Sequence, residues 1–220
     1  IFGQGLLLIG DFRSQHWPLI LFLAIAGLVI VYLYKRFGGK ASKGMGLIFD
    51  VGHAREEKIP LVLVPLIMLT TWMSHLFGGS VGREGVAVQI GATLSHRFAR
   101  HIKIPDASRI FLMTGMAAGF AGLFQTPLAA TFFALEVLTV GELQLMALYP
   151  ALIASIVASF TSHALGLEKF AVPLRETLSW TPETLIKVTL LGLAFGLAGK
   201  LFAVSLSWLK KTVAQVLPNP

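Results

Sequence analysis

Apolar residues run from Trp17 to Tyr34 without a charge. As an α-helix rising about 1.5 Å per residue this stretch crosses about 30 Å of hydrocarbon, and it predicts a first membrane span. Trp17, Tyr32 and Tyr34 fall at its ends, where amphipathic aromatics settle at the lipid–water boundary. After a short polar link, Gly44-Met45-Gly46-Leu47-Ile48-Phe49 is apolar but too brief to span alone. Ile59 to Phe77 predict a second full span, with Pro60 and Pro65 in its first turns, where a missing N–H does least harm. A glycine-rich charged turn follows, Gly78-Gly79-Ser80-Val81-Gly82-Arg83-Glu84-Gly85. It opens an apolar helix of about ten to fifteen residues ending near Ser95-His96-Arg97.

From Ile110 the pattern changes. Gly115, Gly119 and Gly122, with Ala117, Ala118 and Ala121, make a small-residue surface that lets helices approach closely. Gln125-Thr126-Pro127 breaks that run, and Leu128 to Leu138 is a further short helix. Leu143 to Leu165 is a long span, and Thr184 to Trp208 is another, opened by a cap at Thr181-Pro182-Glu183. Full spans thus alternate with half-length ones that begin in glycine or at Thr-Pro. Broken helices present free backbone N–H groups at membrane depth only where something polar lies against them, and so point to a transport site.

Composition agrees with membrane residence: 55% hydrophobic, 13% charged, mean hydropathy +0.76. The net charge is +7, yet the cations sit in links, at Lys35, Arg36, Lys40 and Lys43 and again at Arg97, Arg100 and Lys103. That distribution anchors loops and does not suit nucleic acid. Lys35 to Lys43 reads as cytoplasmic, but Arg97 to Arg109 is also basic, so the bias is not clean. Cysteine is absent, which excludes disulfides, thiolate metal sites and cysteine nucleophiles. The chain begins at Ile1 and ends in Leu217-Pro218-Asn219-Pro220, which resembles an interdomain link; we expect a fragment of a longer protein.

Arg83 and Glu84 cost roughly 2.5–3.5 kcal/mol each at mid-bilayer, so they are there for a purpose. Their turn is a loop of unpaired amides at a helix start, which with the helix dipole favours an anion without a fixed cation. Glu84 sits where that anion would go. A carboxylate that is either seated and ionised or released and protonated can gate the site or couple anions to protons. The alternative is that Arg83 and Glu84 neutralise each other as a structural pair.

The Gly82-Arg83-Glu84-Gly85 run, preceded by a long helix and followed by Val86-Ala87-Val88-Gln89-Ile90-Gly91, closely resembles the gating-glutamate motif of the CLC chloride channels and anion/proton antiporters. Gly44-Met45-Gly46 stands where that family has its first anion-binding loop. Ala118-Gly119-Phe120 through Thr126-Pro127-Leu128-Ala129 to Phe133-Ala134-Leu135-Glu136 resembles its next helix pair. The resemblance implies an all-α membrane protein of tilted and half-length helices, equivalent to the first of two inverted repeats. Residues 1–220 would be the N-terminal half of the transmembrane domain, with the second half absent from this chain. It implies an anion site from Gly44, Met45, Gly46, Gly82, Arg83, Gly85 and Val86, with Glu84 as gate and proton-coupling group.

Chloride-handling members usually carry a serine in the first loop and a proline after the glutamate motif; this chain has Met45 and Val86. A thioether donates no hydrogen bond to an anion. Both departures resemble the fluoride/proton antiporter branch, which makes fluoride/proton antiport the first expectation and a chloride channel or chloride/proton antiporter the second. Otherwise Met45 is a flexible apolar gap-filler. Many antiporters of this family have a Glu-Glu pair where this chain has Glu136-Val137. Glu136 is therefore assigned to structure, buried and hydrogen-bonded at a helix end, with proton relay as the alternative.

Gln89 and Phe49 are candidates for lining the pathway, against an interhelical hydrogen bond for the first and packing for the second; Phe120 is read as packing. His53, His75 and His96 lack metal-ligand spacing and read as interfacial. No nucleophile triad, carboxylate dyad or nucleotide loop with its Lys is found, so the chain is not read as an enzyme and no cofactor or metal is expected. Expected partners are a halide anion, protons, the lipid bilayer and a second subunit in a homodimer, in a multi-pass protein of the bacterial inner membrane. A non-transporting scaffold whose glycines serve packing alone is the reading from another class, and a neutral-substrate carrier the third.

Overall fold

The computed structural model describes residues 1–139, 141–167 and 179–216, all α-helical where regular, in two compact units, Ile1–Phe170 and Ala171–Pro220. Leu217 to Pro220, read above as a link, lie outside the described residues.

The first unit opens with a helix that the pattern did not announce, α1 (Phe2–Gln15). Its glycines and polar end hide it from a periodicity reading; tertiary contact holds it instead. Trp72 Nε1 donates to the Phe2 carbonyl at 3.2 Å, and a Cβ at Gly5 would stand 2.7 Å from the Trp72 ring. Trp17 then starts a helical run that continues to Gly52. It passes through a 3₁₀ turn (Trp17–Phe22), α2 (Leu23–Leu33), a π turn (Tyr34–Gly38), a second 3₁₀ turn (Gly39–Lys43) and α3 (Met45–Gly52). The first span and the short segment after it are therefore contiguous, broken at Gly39 and Gly44, whose φ of 47° and 55° L side chains rarely adopt.

The second predicted full span is shorter than expected. α4 covers Leu63–Leu76, 14 residues, or about 21 Å of rise, less than the hydrocarbon thickness. Pro65 lies in its first turn, but Pro60 stands before the helix. Gly78, at φ 80°, ends α4 in a Schellman motif: Gly79 N–H donates to Ser74 O at 2.7 Å and Gly78 N–H to His75 O at 3.1 Å. Next come α5 (Glu84–Ala99), α6 (Ala107–Phe124), α7 (Pro127–Glu136), a 3₁₀ turn (Leu145–Ala147) and α8 (Leu148–Ala164).

The expected small-residue surface is where α5 and α6 cross. A Cβ at Gly91 would overlap the Gly115 carbonyl, and one at Gly119 the Ala87 carbonyl, so the backbones touch with no side chain between. Around that crossing Leu47, Ile48, Leu63, Val88, Leu112, Met113, Met116 and Leu135 are fully buried. Gln125 takes the left-handed conformation, φ 54°, turning the chain between α6 and the Pro127 that opens α7. Thr131 Oγ1 donates to Ser155 Oγ at 3.2 Å, joining α7 to α8.

Lys40, Lys58, Arg97 and Arg100 line one cavity. The two basic links thus lie at one end of the bundle, and the charge bias that was ambiguous along the chain becomes single-sided.

The described part of the second unit holds one helix, α9 (Pro182–Val216), 35 residues long. Its cap is as expected: Thr184 N–H donates to Thr181 Oγ1 at 3.2 Å. Among the described residues, four helical runs are long and apolar enough to cross a membrane, Trp17–Gly52, Ala107–Phe124, Leu145–Ala164 and Pro182–Val213. The chain is an integral, multi-pass membrane protein.

Candidate anion site at two helix starts

α3 and α5 both begin without a side-chain cap. At the first, Leu47 N–H reaches back to Gly44 O at 3.1 Å; at the second, Ala87 N–H reaches Arg83 O at 3.1 Å. The amides before them, Met45 and Gly46 in α3 and Glu84, Gly85 and Val86 in α5, have no carbonyl of their own helix to bond. Unpaired N–H groups and two positive dipole ends make each start attractive to an anion. Gly44 can precede α3 at φ 55° only because it is glycine.

Gln89 connects the two starts. It is 6% exposed, and its Oε1 lies 3.6 Å from the Cβ that Gly44 lacks, its Nε2 3.9 Å from that of Gly85. Oε1 is buried without a hydrogen-bond partner. A bare buried carbonyl is costly, and an amide that can turn to offer N–H or C=O suits a site whose occupant changes. No side-chain hydrogen bond from Gln89 to another helix is found among the described residues.

Glu84, the first residue of α5, folds back over its own turn. A Cβ at Gly82 would stand 2.8 Å from Glu84 Oε2, so glycine at 82 leaves room for the carboxylate. Arg83 makes no ion pair with it. The guanidinium lies instead over the Phe124 ring, 5.9 Å from its centroid, and Phe124 continues through Phe120 at 4.7 Å to Phe133 at 5.0 Å. Arg83 and Glu84 thus do not form the structural pair, and Glu84 has no ion-pair partner among the described residues. Nothing in the sequence pairs Arg83 with Phe124, because the contact exists only once the end of α6 meets the start of α5.

Met45 and Phe49 are half-buried and pack on the core, as does Phe120. Val86 is buried, while Gly46, Gly82 and Glu84 are exposed. Glu136 departs from expectation: it is exposed at the end of α7, without the burial and hydrogen bond assigned to it, since the helix places Leu135 and Ala134 inward instead. Val137 packs against the core. His96 also departs. It is 3% exposed; Nε2 lies 3.3 Å from the Glu57 carbonyl and Nδ1 3.3 Å from Ser108 Oγ. With the proton on Nε2, the ring donates to the carbonyl and accepts from the hydroxyl, joining three segments. His53 and His75 bond the carbonyls of Phe49 and Thr71 one turn back, at 2.8 and 2.9 Å.

The family model described as voltage gated chloride channel matches residues 26–220. The chain belongs to the CLC family. A chloride/fluoride channel protein of Pseudomonas syringae pv. tomato is 37% identical over 89% of this chain and 43% of its own length. The voltage-gated ClC-type chloride channel ClcB of Salmonella typhimurium is 30% identical over 73% of this chain and 35% of its own. A crystal structure of a CLC-type fluoride/proton antiporter superposes with a TM-score of 0.93 at 48% identity, covering 100% of this chain and 56% of that one. The chain spans between about a third and a little over half of these CLC relatives. It has the CLC fold over the part it spans.

Proposed function

We propose that this chain is the N-terminal repeat of a CLC subunit that exchanges fluoride for protons across the membrane, with Glu84 as the movable, proton-sensitive gate. The observation that carries it is the unpaired Glu84 carboxylate folded over Gly82 at an uncapped helix start, with a second uncapped start one glutamine away. A carboxylate so placed competes with an external anion for the same amides, and protonation removes it from the contest. Gly44, Met45 and Gly46 on one side and Gly82, Gly85 and Val86 on the other would line the anion, with Gln89 between them. Arg83, engaged with Phe124, contributes its backbone and not its charge.

Fluoride rests on Met45, which offers no hydroxyl to a larger halide, and on the likeness to the fluoride/proton antiporter at 48% identity. A matching repeat would complete the pathway, and two such subunits would form the homodimer expected from the family. Chloride is the second reading, carried by the likeness to ClcB.

The test is flux from liposomes holding the full-length protein. A fluoride electrode should register efflux, with protons moving inward in a fixed ratio. Glu84→Gln should stop proton movement and slow or abolish exchange; an unchanged proton-to-fluoride ratio in that variant would remove Glu84 from the mechanism. Chloride efflux without fluoride efflux would select the second reading. No flux of either anion would leave a scaffold.

A further inference from the structure

Away from the anion site, four cations converge from three separate segments on one cavity. Lys40 comes from the 3₁₀ turn before α3, Lys58 from the link before α4, and Arg97 and Arg100 from the end of α5; with Ile59, Pro60 and Leu61 they line a space of 470 Å³. Lys40 is engaged with Glu56 at 2.5 Å. Lys58, Arg97 and Arg100 are exposed and make no ion pair among the described residues. The dipole of α5 accounts for arginines in its last turn, but not for their convergence with two lysines over an apolar floor. The cavity is also held in shape, because buried His96 ties the Glu57 carbonyl to α5 directly beside Arg97.

Its chemistry is two-sided. The cations offer bidentate and point-charge donors for phosphate oxygens, while Leu61 at 45% exposed and Val62 at 37% continue the floor onto the apolar flank of α4. A soluble anion has no use for that flank; an acyl chain does. The cavity also lies at the basic end of the bundle, the end that faces the anionic leaflet under the positive-inside rule.

We propose that this cavity is a binding site for the headgroup of an anionic glycerophospholipid, the phosphate held by Lys58, Arg97 and Arg100 and the first chain carbons resting on Leu61 and Val62. The site is independent of which anion the pathway carries. Full-length protein in a zwitterionic detergent, titrated with dioleoyl phosphatidylglycerol, dioleoyl phosphatidylcholine or glycerol 1-phosphate, tests it by native mass spectrometry and by melting temperature. Phosphatidylglycerol should be retained and raise the melting temperature, and the other two should do neither. Each of Lys58→Gln, Arg97→Gln and Arg100→Gln should weaken retention about fivefold, and the three together about a hundredfold, since each cation near an anionic surface contributes about that factor. Lys187→Gln, on the second unit, should change nothing. Equal retention of the two lipids, or full retention by the triple variant and by each single one, overturns the proposal. Glycerol 1-phosphate competing as well as the lipid overturns the lipid assignment in favour of a soluble phosphate ester.

Discussion

Glu84 and Arg83 are neighbours in sequence with different fates. One carboxylate lies over a glycine at a bare helix start; the other charge is laid on an aromatic face. An Arg–Phe contact of this kind is worth about 0.5–1 kcal/mol where solvent reaches it. A double-mutant cycle on thermal stability with Arg83→Gln and Phe124→Leu should recover that coupling, whereas a cycle pairing Arg83→Gln with Glu84→Gln should give none. The glycine turn was legible from residues 78–91, and the family from that turn together with Gly44-Met45-Gly46 and the run from Ala118 to Glu136. Gln89 was legible only as a polar residue at the right depth, since its role depends on Gly44, which reaches it through the fold. Glu136 was read as buried because a carboxylate in apolar sequence suggests burial; within the part of the family's length that this chain spans, the register of α7 leaves it exposed.

At the scale of the element, glycine does two different jobs. Gly44 and Gly78 supply positive φ; Gly91, Gly115 and Gly119 supply the absence of a side chain. Gly91→Ala should therefore destabilise the protein by about 1–3 kcal/mol or more, because its Cβ meets backbone that cannot rotate away. Gly27→Ala, in open space on α2, should be neutral or slightly stabilising. Melting temperatures of the two variants in detergent separate the cases. The small-residue face of α6 could be read from its spacing, but its partner could not, because Gly91 looks like one glycine among many until α5 lies across it. The link before α4 carries the clearest acid dependence. The hydrogen bond from Lys40, helped by the charges of Lys40 and Lys43, holds the Glu56 carboxyl below its ordinary value of 4.5 against a smaller opposing effect of desolvation. A depressed carboxylate stabilises the fold above its unfolded pKa and loses that contribution as pH falls through the folded one. The gap in melting temperature between wild type and Glu56→Gln should be full near about pH 6 and close below the usual carboxylate range of about 4.

For the whole molecule, the decisive fact is that both basic links share one end of the bundle. That end should face the cytoplasm. These 220 residues contain no cysteine, so Lys58→Cys, in full-length protein with any cysteine elsewhere replaced, provides a single label: an impermeant maleimide should leave it unmodified in intact cells and react after lysis, and labelling in intact cells would reverse the orientation. Polytopic architecture and half-length helices were readable from hydropathy, while the sidedness was not, since two basic loops cancel or reinforce only according to where the helices carry them. α5 runs from Glu84 at its first residue to Arg97 near its last, with Gly91 between them pressed on the backbone of α6. In mechanical language α5 is a clamped beam, held on α6 over about 12 Å from Ala87 through Gly91 to Ser95. A push at its cationic end reaches the carboxylate only if α6 moves with it.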